Sequence, residues 1–423
     1  ACINTASAEE KNIRLGTQIL TDVSVEYGDT GVFTLDTESE DSVYAPLKEI
    51  IDHASFETVN TEEVYAEDIL ELEEDGTYRV TGFGTVSIRV IIYDVLGEER
   101  HNQIYSIKVT KDMTNVSLET TSFKADKVIY SPEVLEFSTK VNGMEGMGTE
   151  IYGLPFKTSL SNKKMDISVS FTDGVLTFTV YNAGTTNVNI RINGVKYVVT
   201  IQITEIKLSG STAFYMTAKQ TKQLSVKNLG SYSVTWKSMN PNVVSVTNTG
   251  KIQAKKTGNA IILATVNGHN FGCVISVLTA TRKKVVKRAK YIGTHWKYSQ
   301  PLRMRKNYYD CSSLVWKCYK LEGKYFGAKS YAPVAADIAK YCARHKKNVS
   351  GNIAKNIQKM KYKPGALTFK TGAKNGRYKG IYHVEMFVGY TFEGVKADGT
   401  PIVGTRWGAR DDNYEYGSIF AQP

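Results

Sequence analysis

A pair of glycines recurs three times in the first two thirds of the chain and constrains the fold more than any other feature. In each copy a turn glycine starts a strand, a second glycine makes the next turn, and a longer strand follows. Glycine is favoured there because tight hairpins require a positive φ. The pairs are Asp75-Gly76 with Gly84-Thr85, Asp173-Gly174 with Gly184-Thr185, and Thr249-Gly250 with Gly258-Asn259. Copies about 75–100 residues apart predict a row of three small β-sandwiches.

The segments around these pairs have the alternation expected of strands. Val86–Val90 and Val188–Ile192 alternate apolar and polar side chains, as half-buried strands do. Helical periodicity is scarce before residue 280. The exception is Val43–His53, where Leu47, Ile50 and Ile51 predict a short helical insert.

The pattern changes at Thr281–Lys290, where Val285, Val286 and Ala289 have helical spacing among cations. We therefore place a domain boundary near residue 280, with a linker that runs into a helix. The predicted divisions are a tail or signal remnant at 1–19, all-β modules at 20–111, 112–203 and 204–280, and an α+β catalytic domain at 281–423.

Charge is distributed unevenly along the 423 residues. Residues 1–110 have a net charge of about −16, whereas residues 281–423 have a net charge of about +20. A basic end suits a polyanion such as an anionic cell-wall polymer. The basic residues are scattered and no nucleic-acid-binding motif accompanies them, so we expect no nucleic-acid partner. No run of about 18 apolar residues is present, so no transmembrane span is predicted.

The first residues resemble the end of a secretory signal. Ala6-Ser7-Ala8 has the small-x-small form of a cleavage site, and Ala1-Cys2 is alternatively the end of a lipoprotein signal with Cys2 lipidated. A frayed terminus is the third reading. The five cysteines are too few, and odd in number, for a complete disulfide framework.

The third copy is the clearest of the repeats. Its motifs are Val234-Thr235-Trp236-Lys237-Ser238, Asn242-Val243-Val244-Ser245-Val246 and Gly250-Lys251-Ile252, followed by Gly258 and Ala264-Thr265-Val266. Residues 204–279 resemble the bacterial Ig-like domains of group 2. Trp236 is then a sandwich-core residue, and Cys273 packs as a small hydrophobe within a strand. We assign these modules no chemistry, because they lack a convergent His, Cys or carboxylate cluster.

A cysteine opens an apolar helix in the last third of the chain. Asp310 precedes Cys311 as a plausible N-cap, and Leu314, Val315, Cys318 and Tyr319 recur at helical spacing. The unpaired N–H groups and the dipole at a helix start favour a thiolate. The N–H of Ser312 is a candidate oxyanion donor. The alternative is a buried structural cysteine.

A strand containing His383 supplies a candidate base. In Ile381–Gly389, Val384, Met386 and Val388 share one face, and His383, Glu385 and Phe387 share the other. A histidine at a strand start can meet a helix N-terminus elsewhere in the fold, as cysteine hydrolases require. A second helix is predicted from Pro333 to His345, with His345 at the surface. Cys318 and Cys342 are read as packed thiols, although a disulfide between them stays open.

Residues 285–423 resemble the NlpC/P60 family of cell-wall cysteine peptidases, which are circular relatives of the papain fold. Three motifs occur in the family's order. They are Asp310-Cys311-Ser312-Ser313-Leu314-Val315, Lys363-Pro364-Gly365-Ala366-Leu367-Thr368-Phe369, and His383-Val384-Glu385-Met386-Phe387-Val388-Gly389. The resemblance implies a papain-like α+β fold, Cys311 as nucleophile and His383 as base. It also implies cleavage of peptidoglycan stem peptides, typically between D-glutamate and a diamino acid, without a metal or cofactor.

Three departures from the family pattern concern the site. Trp296 stands where the family often has a tyrosine before the cysteine, and Tyr298 is a possible substitute. Ser313 and Glu385 replace family glycines, and Glu385 is expected to shape the substrate pocket. The family's polar orienting residue belongs on the strand after the histidine strand. A longer hairpin intervenes there, and Thr405 is the expected acceptor.

The sequence therefore predicts a secreted or cell-surface peptidoglycan hydrolase of the cysteine peptidase class. The β modules are expected to act as spacers or docking units for the cell wall. Two alternatives stay open at this level: an amidase or acyltransferase on the same fold, and a wall-binding adhesion protein with a degenerate hydrolase domain.

Overall fold

The computed structural model describes residues 10–16, 22–60, 64–408 and 416–423. The predicted lipidation site Cys2 and the predicted cleavage motif at 6–8 lie outside these ranges. The chain divides into two compact units. One comprises Ala1–Asp126 with Glu133–Thr204, and the other comprises Lys127–Pro132 with Glu205–Pro423.

The first module consists of two four-stranded sheets, ordered β1-β3-β6-β5 and β2-β8-β7-β4. Its strands are β1 (Ile13–Leu15), β2 (Asp22–Glu26), β3 (Thr30–Leu35), β4 (His53–Val59), β5 (Leu70–Leu72), β6 (Thr77–Val80), β7 (Thr85–Tyr93) and β8 (Glu99–Thr110). The strict alternation of β7 is visible in its burial, since every second residue from Val86 to Ile92 is buried. The predicted helical insert is reduced to one 3-10 turn at Ala45–Leu47, and its predicted end, His53, begins β4 instead.

The second module pairs the sheet β13-β14-β11-β9 with a sheet in which β10, β16, β15 and β12 are adjacent in that order. Its strands are β9 (Ser117–Leu118), β10 (Ser122–Val128), β11 (Leu135–Asn142), β12 (Phe156–Leu160), β13 (Ile167–Thr172), β14 (Val175–Val180), β15 (Gly184–Ile192) and β16 (Val195–Leu208).

The third module has the sheets β17-β24-β23-β20 and β18-β22-β21. Its strands are β17 (Ala213–Met216), β18 (Thr221–Gln223), β19 (Val226–Lys227), β20 (Thr235–Ser238), β21 (Val244–Val246), β22 (Lys251–Ala254), β23 (Gly258–Val266) and β24 (His269–Val277). Trp236 is half-buried against the core of this module, and Cys273 is fully buried within it. The chain up to residue 277 is thus mostly β, in Ig-like sandwiches, as predicted.

The glycine pairs have the same backbone role in all three modules. The first glycine of each pair has φ between 72° and 91°, and the second has φ between 143° and 152°. A side chain at the second glycine would collide with an apolar neighbour, since its Cβ would lie 2.4–2.9 Å from Ile69, Met165 or Val243. Both the left-handed backbone and this close approach exclude other residues, which is why the pairs repeat.

The C-terminal domain combines helices with a four-stranded antiparallel sheet, ordered β29-β28-β27-β30. Its helices are α1 (Ala280–His295), α2 (Cys311–Tyr319), α3 (Ala335–Arg344) and α4 (Ile353–Gln358). Its strands are β25 (Lys297–Tyr298), β26 (Tyr308–Tyr309), β27 (Leu367–Thr371), β28 (Ile381–Val395), β29 (Pro401–Trp407) and β30 (Ile419–Ala421). Helix α1 is longer than the sequence indicated, and α4 was not predicted.

Strand β28 is buried on both faces from Val384 to Tyr390. Val384, Met386 and Val388 belong to the core that the helices share with the sheet. Phe387 and Tyr390 belong to a second apolar cluster, which contains Ile261, Leu263 and Val274 of the third module together with Trp407 and Phe420. The third module and the C-terminal sheet therefore share a hydrophobic core.

Polar contacts fix this packing. The buried side chain of Asn259 on β23 donates to the carbonyls of Met360 and Tyr362, each at 2.9 Å, and accepts from the Ser276 hydroxyl at 2.7 Å. The hydroxyl of Tyr215 donates to the carbonyl of Val388 in the middle of β28. Because these groups are directional, they set the register of the two surfaces as well as their separation.

Candidate active site

Cys311 is the first residue of α2, and its position is fixed by a capping box. The Asp310 carboxylate accepts from the backbone N–H of Ser313 at 2.7 Å, and the Ser313 hydroxyl accepts from the backbone N–H of Asp310 at 2.9 Å. This reciprocal arrangement gives Ser313 a structural role at the start of α2. The Cys311 side chain is partly exposed, so a reagent can reach it.

Arg303 forms an ion pair with the capping residue Asp310. Its guanidinium lies 3.2 Å from the Asp310 carboxylate, and it also donates to the carbonyls of Ala332 and Pro333 at 2.8 and 3.1 Å. Both charged side chains are at most 9% exposed. Removing one partner of such a pair leaves an uncompensated buried charge, so the pair holds the loop before Cys311 in place. Arg303 was missed in the sequence, because it lies in an irregular polar loop without a motif.

His383 lies near the start of β28 and hydrogen-bonds with Cys311. Its Nε2 is buried and lies 3.8 Å from a carboxylate oxygen of Glu385, two residues along the same strand. Burial alone would lower the pKa of His383. The hydrogen bond with Cys311, together with the electrostatic attraction of Cys311 and of the Glu385 carboxylate, outweighs burial and raises this pKa to about 9. The imidazole therefore carries a proton at neutral pH.

Tyr298 stands beside the cysteine at the end of the short strand β25. The register of β25 with β26 places it next to Tyr309, immediately before the capping residue. Burial raises the pKa of Tyr298, and the nearby charges of Cys311 and Asp310 raise it further. The backbone N–H of Cys311 also hydrogen-bonds to this hydroxyl. A tyrosine hydroxyl is thus present beside Cys311, and it comes from Tyr298, two residues after Trp296.

The structure does not bring Thr405 to His383. In the β28–β29 register Thr405 is the partner of Tyr390, which lies seven residues beyond His383 on the strand. Seven residues of extended chain span roughly 23 Å, too far for a hydrogen bond. The prediction of Thr405 as the orienting acceptor is therefore wrong. The side chain beside His383 Nε2 is that of Glu385, which is 3% exposed.

The remaining predicted site residues have different surroundings. Trp296 caps the C-terminus of α1, and its ring lies between the Arg288 guanidinium and the Lys317 ammonium, at 4.9 and 5.1 Å. These contacts pack Trp296 between two cationic side chains, and its expected place in the substrate site stays a prediction. Ser312 is buried, and its hydroxyl lies 3.3 Å from the Asp310 carboxylate, so only its backbone N–H is a candidate for the oxyanion.

The other described cysteines are buried free thiols. Burial raises the pKa of Cys273 and of Cys342 to about 12, and it also raises the pKa of Cys318. Cys318 and Cys342 are therefore packed thiols, as the sequence favoured, and the disulfide alternative is wrong. Among the described cysteines, Cys311 is the one that is both accessible and next to a cation.

Within the described ranges, no group of three or more His, Cys, Asp or Glu residues is arranged to hold a metal ion. None of the helices in the described part of the chain has the length and apolar character needed to cross a bilayer.

Comparisons with solved structures give low similarity. The human desmocollin-1 ectodomain has a TM-score of 0.24 and 12% identity over 65% of this chain and 61% of that one. Invasin, a bacterial integrin-binding protein, has a TM-score of 0.23 and 15% identity over 53% and 51%. Domains 4–9 of the surface layer protein SbsC have a TM-score of 0.19 and 14% identity over 54% and 39%. The chain thus spans less than two thirds of each of these, and TM-scores this low support no inference.

No curated protein matches the sequence. The family comparison does give a match, and it falls on the module that the sequence singled out. Residues 203–277 match the model of the bacterial Ig-like domain, group 2, in close agreement with the predicted range of 204–279. The third module is therefore a bacterial Ig-like domain of group 2.

Proposed function

We propose that residues 281–423 form a cysteine peptidase domain of the NlpC/P60 type that cleaves amide bonds in peptidoglycan stem peptides. One observation carries the proposal. The accessible Cys311 at the start of α2 hydrogen-bonds with a histidine that is protonated at neutral pH. A cysteine at a helix N-terminus with a histidine base beside it is the arrangement that a nucleophilic thiol requires.

In the proposed reaction Cys311 attacks the carbonyl carbon of the scissile amide and forms a tetrahedral oxyanion. His383 then gives its proton to the departing amine, and an acyl-enzyme thioester remains. His383 then takes a proton from a water molecule, whose oxygen attacks the thioester carbonyl. The carbon–sulfur bond breaks, the carboxylic acid leaves, and the proton on His383 restores the starting Cys311–His383 pair. The raised pKa of His383 suits the acid role in the first half of this cycle.

The oxyanion is held by donors at the beginning of α2. The first N–H groups of a helix have no intrahelical acceptor, and here they adjoin the nucleophile. The Tyr298 hydroxyl accepts from the N–H of Cys311, and the residue is 55% exposed, so the hydroxyl can turn toward a bound carbonyl. Donors of this kind stabilise charge that develops only in the transition state.

The substrate class and location follow from the resemblance and the charge. The three ordered motifs resemble enzymes that cut stem peptides, typically between D-glutamate and a diamino acid. The catalytic end has a net charge of about +20, which attracts it to anionic cell-wall polymers. The Ig-like modules support a secreted or cell-surface protein in which they serve as spacers or docking units.

The test is digestion of purified peptidoglycan with wild type, Cys311→Ala and Cys318→Ala. New amino termini are expected from wild type and from Cys318→Ala, whose thiol is buried and packed, and are not expected from Cys311→Ala. Mass spectrometry of the fragments identifies the scissile bond and separates a peptidase from an amidase that cuts at the glycan. Equal release by Cys311→Ala would refute the assignment of the nucleophile.

The alternative of an adhesion protein with an inactive hydrolase domain has a distinct outcome. In that case wild type releases no amino termini, and Cys311 is not labelled by iodoacetamide at neutral pH. Labelling without cleavage would instead indicate a reactive thiol whose substrate is a different amide or acyl group.

A further inference from the structure

We propose that Glu385 is the positioning residue for His383, in place of the polar residue that the related enzymes carry on the following strand. This proposal rests on the proposed function only in taking Cys311 and His383 as the reacting pair. Its geometry is independent of the substrate.

Glu385 is a buried carboxylate, and a buried carboxylate is stabilised by a positive charge nearby. Its side chain is 3% exposed, and one oxygen accepts from the backbone N–H of Met386 at 3.2 Å. The other oxygen lies 3.8 Å from Nε2 of His383, which is itself buried. Because a buried carboxylate is stable only when it is paired or hydrogen-bonded, Glu385 favours a protonated His383 and holds its Nε2 edge.

The backbone makes this arrangement rigid. His383 and Glu385 are two residues apart on β28, so their side chains project on the same side of the sheet. Strand β28 is paired with β27 here, with His383 opposite Lys370 and Glu385 opposite Thr368. The separation of the two groups is therefore set by one strand and does not depend on how a loop places a second one.

The following strand, β29, packs against the third module. Arg406 lies over the ring of Tyr215, with its guanidinium carbon 5.6 Å from the centroid, and Trp407 belongs to the apolar cluster shared with the third module. In its described range, Pro401–Trp407, β29 thus packs against the Ig-like domain. Glu385 lies on the histidine strand itself, within reach of His383.

With Nε2 facing Glu385, Nδ1 is the nitrogen that takes the thiol proton of Cys311, and no proton moves to Glu385. Cys311 from α2 and Glu385 from β28 favour protonation of the imidazole, and the cationic residue paired with His383 on β27 is Lys370. Removing the Glu385 charge shifts His383 toward its neutral form.

The experiment measures the rate of Cys311 alkylation by iodoacetamide between pH 5 and 10, with Cys311→Ala subtracted as background from other thiols. Glu385→Gln is expected to slow alkylation at pH 6. The expected decrease is about tenfold for each pKa unit by which loss of the carboxylate weakens the Cys311–His383 pair. The shorter carboxylate of Glu385→Asp is expected to restore part of the rate. Glu393→Gln, which removes an exposed carboxylate from the same strand, is the matched control and should leave the profile unchanged.

A folded Glu385→Gln protein with the wild-type pH profile would overturn the proposal, since a merely structural glutamate lowers the melting temperature without moving that profile. If Glu385→Gln does not fold, the profile of Glu385→Asp decides the question in the same way. The readout needs no substrate. Absence of stem-peptide cleavage by wild type together with a shifted profile in Glu385→Gln would refute the proposed substrate class and leave the role of Glu385 standing.

Discussion

Replacing Asn259 by alanine tests whether the Ig-like domain and the C-terminal domain fold as one body. The Asn259 amide is buried between them and makes three hydrogen bonds, to the carbonyls of Met360 and Tyr362 and from the hydroxyl of Ser276. Alanine removes all three and adds no clash. The substitution lies on β23, so it acts on the C-terminal domain only through this contact.

The magnitude follows from the groups left behind. A buried hydrogen-bonding group that loses its partner costs about 1–3 kcal/mol. Two carbonyls and one hydroxyl are affected, but the hydroxyl can rotate and water can enter the vacated space. The lower end of the range applies to each group, which gives a loss of roughly 3 kcal/mol. For a unit of this size that corresponds to a decrease in melting temperature of about 6–12 °C.

Tryptophan fluorescence is the assay, because all four tryptophans lie in the second unit. Trp236 reports on the Ig-like domain, whereas Trp296, Trp316 and Trp407 report on the C-terminal domain. Urea titration of the full chain should give a single fluorescence transition for wild type, shifted to lower urea in Asn259→Ala. The acidic first unit contributes no tryptophan signal, so its unfolding does not obscure the result.

Asn248→Ala is the matched control, since Asn248 is an exposed asparagine in the same domain. Its transition should lie within about 0.5 kcal/mol of wild type. Two separate transitions in wild type, or an Asn259→Ala protein as stable as the control, would show that the contact does not couple the domains.

Three further outcomes are expected. In a pH–rate profile, cleavage by wild type should fall as pH rises through about 9. The raised pKa of His383 means that its imidazole is protonated below that pH and neutral above it. A rate that still climbs at pH 10 would contradict this. Tyr298→Phe should lower kcat by about 10²-fold with little change in KM, through loss of an oxyanion donor, in steady-state assays on a stem peptide. Asp310→Ala should destabilise the second unit by roughly 3–5 kcal/mol in urea titration, because it removes the carboxylate that pairs with the buried Arg303. Asp310→Asn retains the helix cap and should lower the free energy of unfolding by less than alanine does.

Much of the fold could be predicted because it depends on local backbone chemistry. The glycine pairs specify conformations that other residues rarely adopt, so three modules were visible without any knowledge of their packing. The helix start at Cys311 was visible for a similar reason, since Asp310 is a strong capping residue followed by an apolar face. In both cases the determining contacts lie within a few residues.

The orienting residue of the site could not be predicted, because it depends on the register between two strands. Bulges interrupt the β28–β29 pairing between Phe387 and Gly389 and between Phe392 and Gly394, and no sequence pattern fixes where Thr405 falls. The docking of the Ig-like domain does have a sequence signal. The uninterrupted apolar run from Ala260 to Ala264 is too hydrophobic for a strand with one solvent-facing side.

The shared core around β28 also limits how such a protein can be rearranged during evolution. A recombination event at residue 280 that replaced the third repeat alone would uncover Phe387, Tyr390 and Trp407 and leave the carbonyls of Met360 and Tyr362 without a donor. The heritable module is therefore the Ig-like domain together with the C-terminal domain, and homologous exchanges are expected to break the chain before the third repeat.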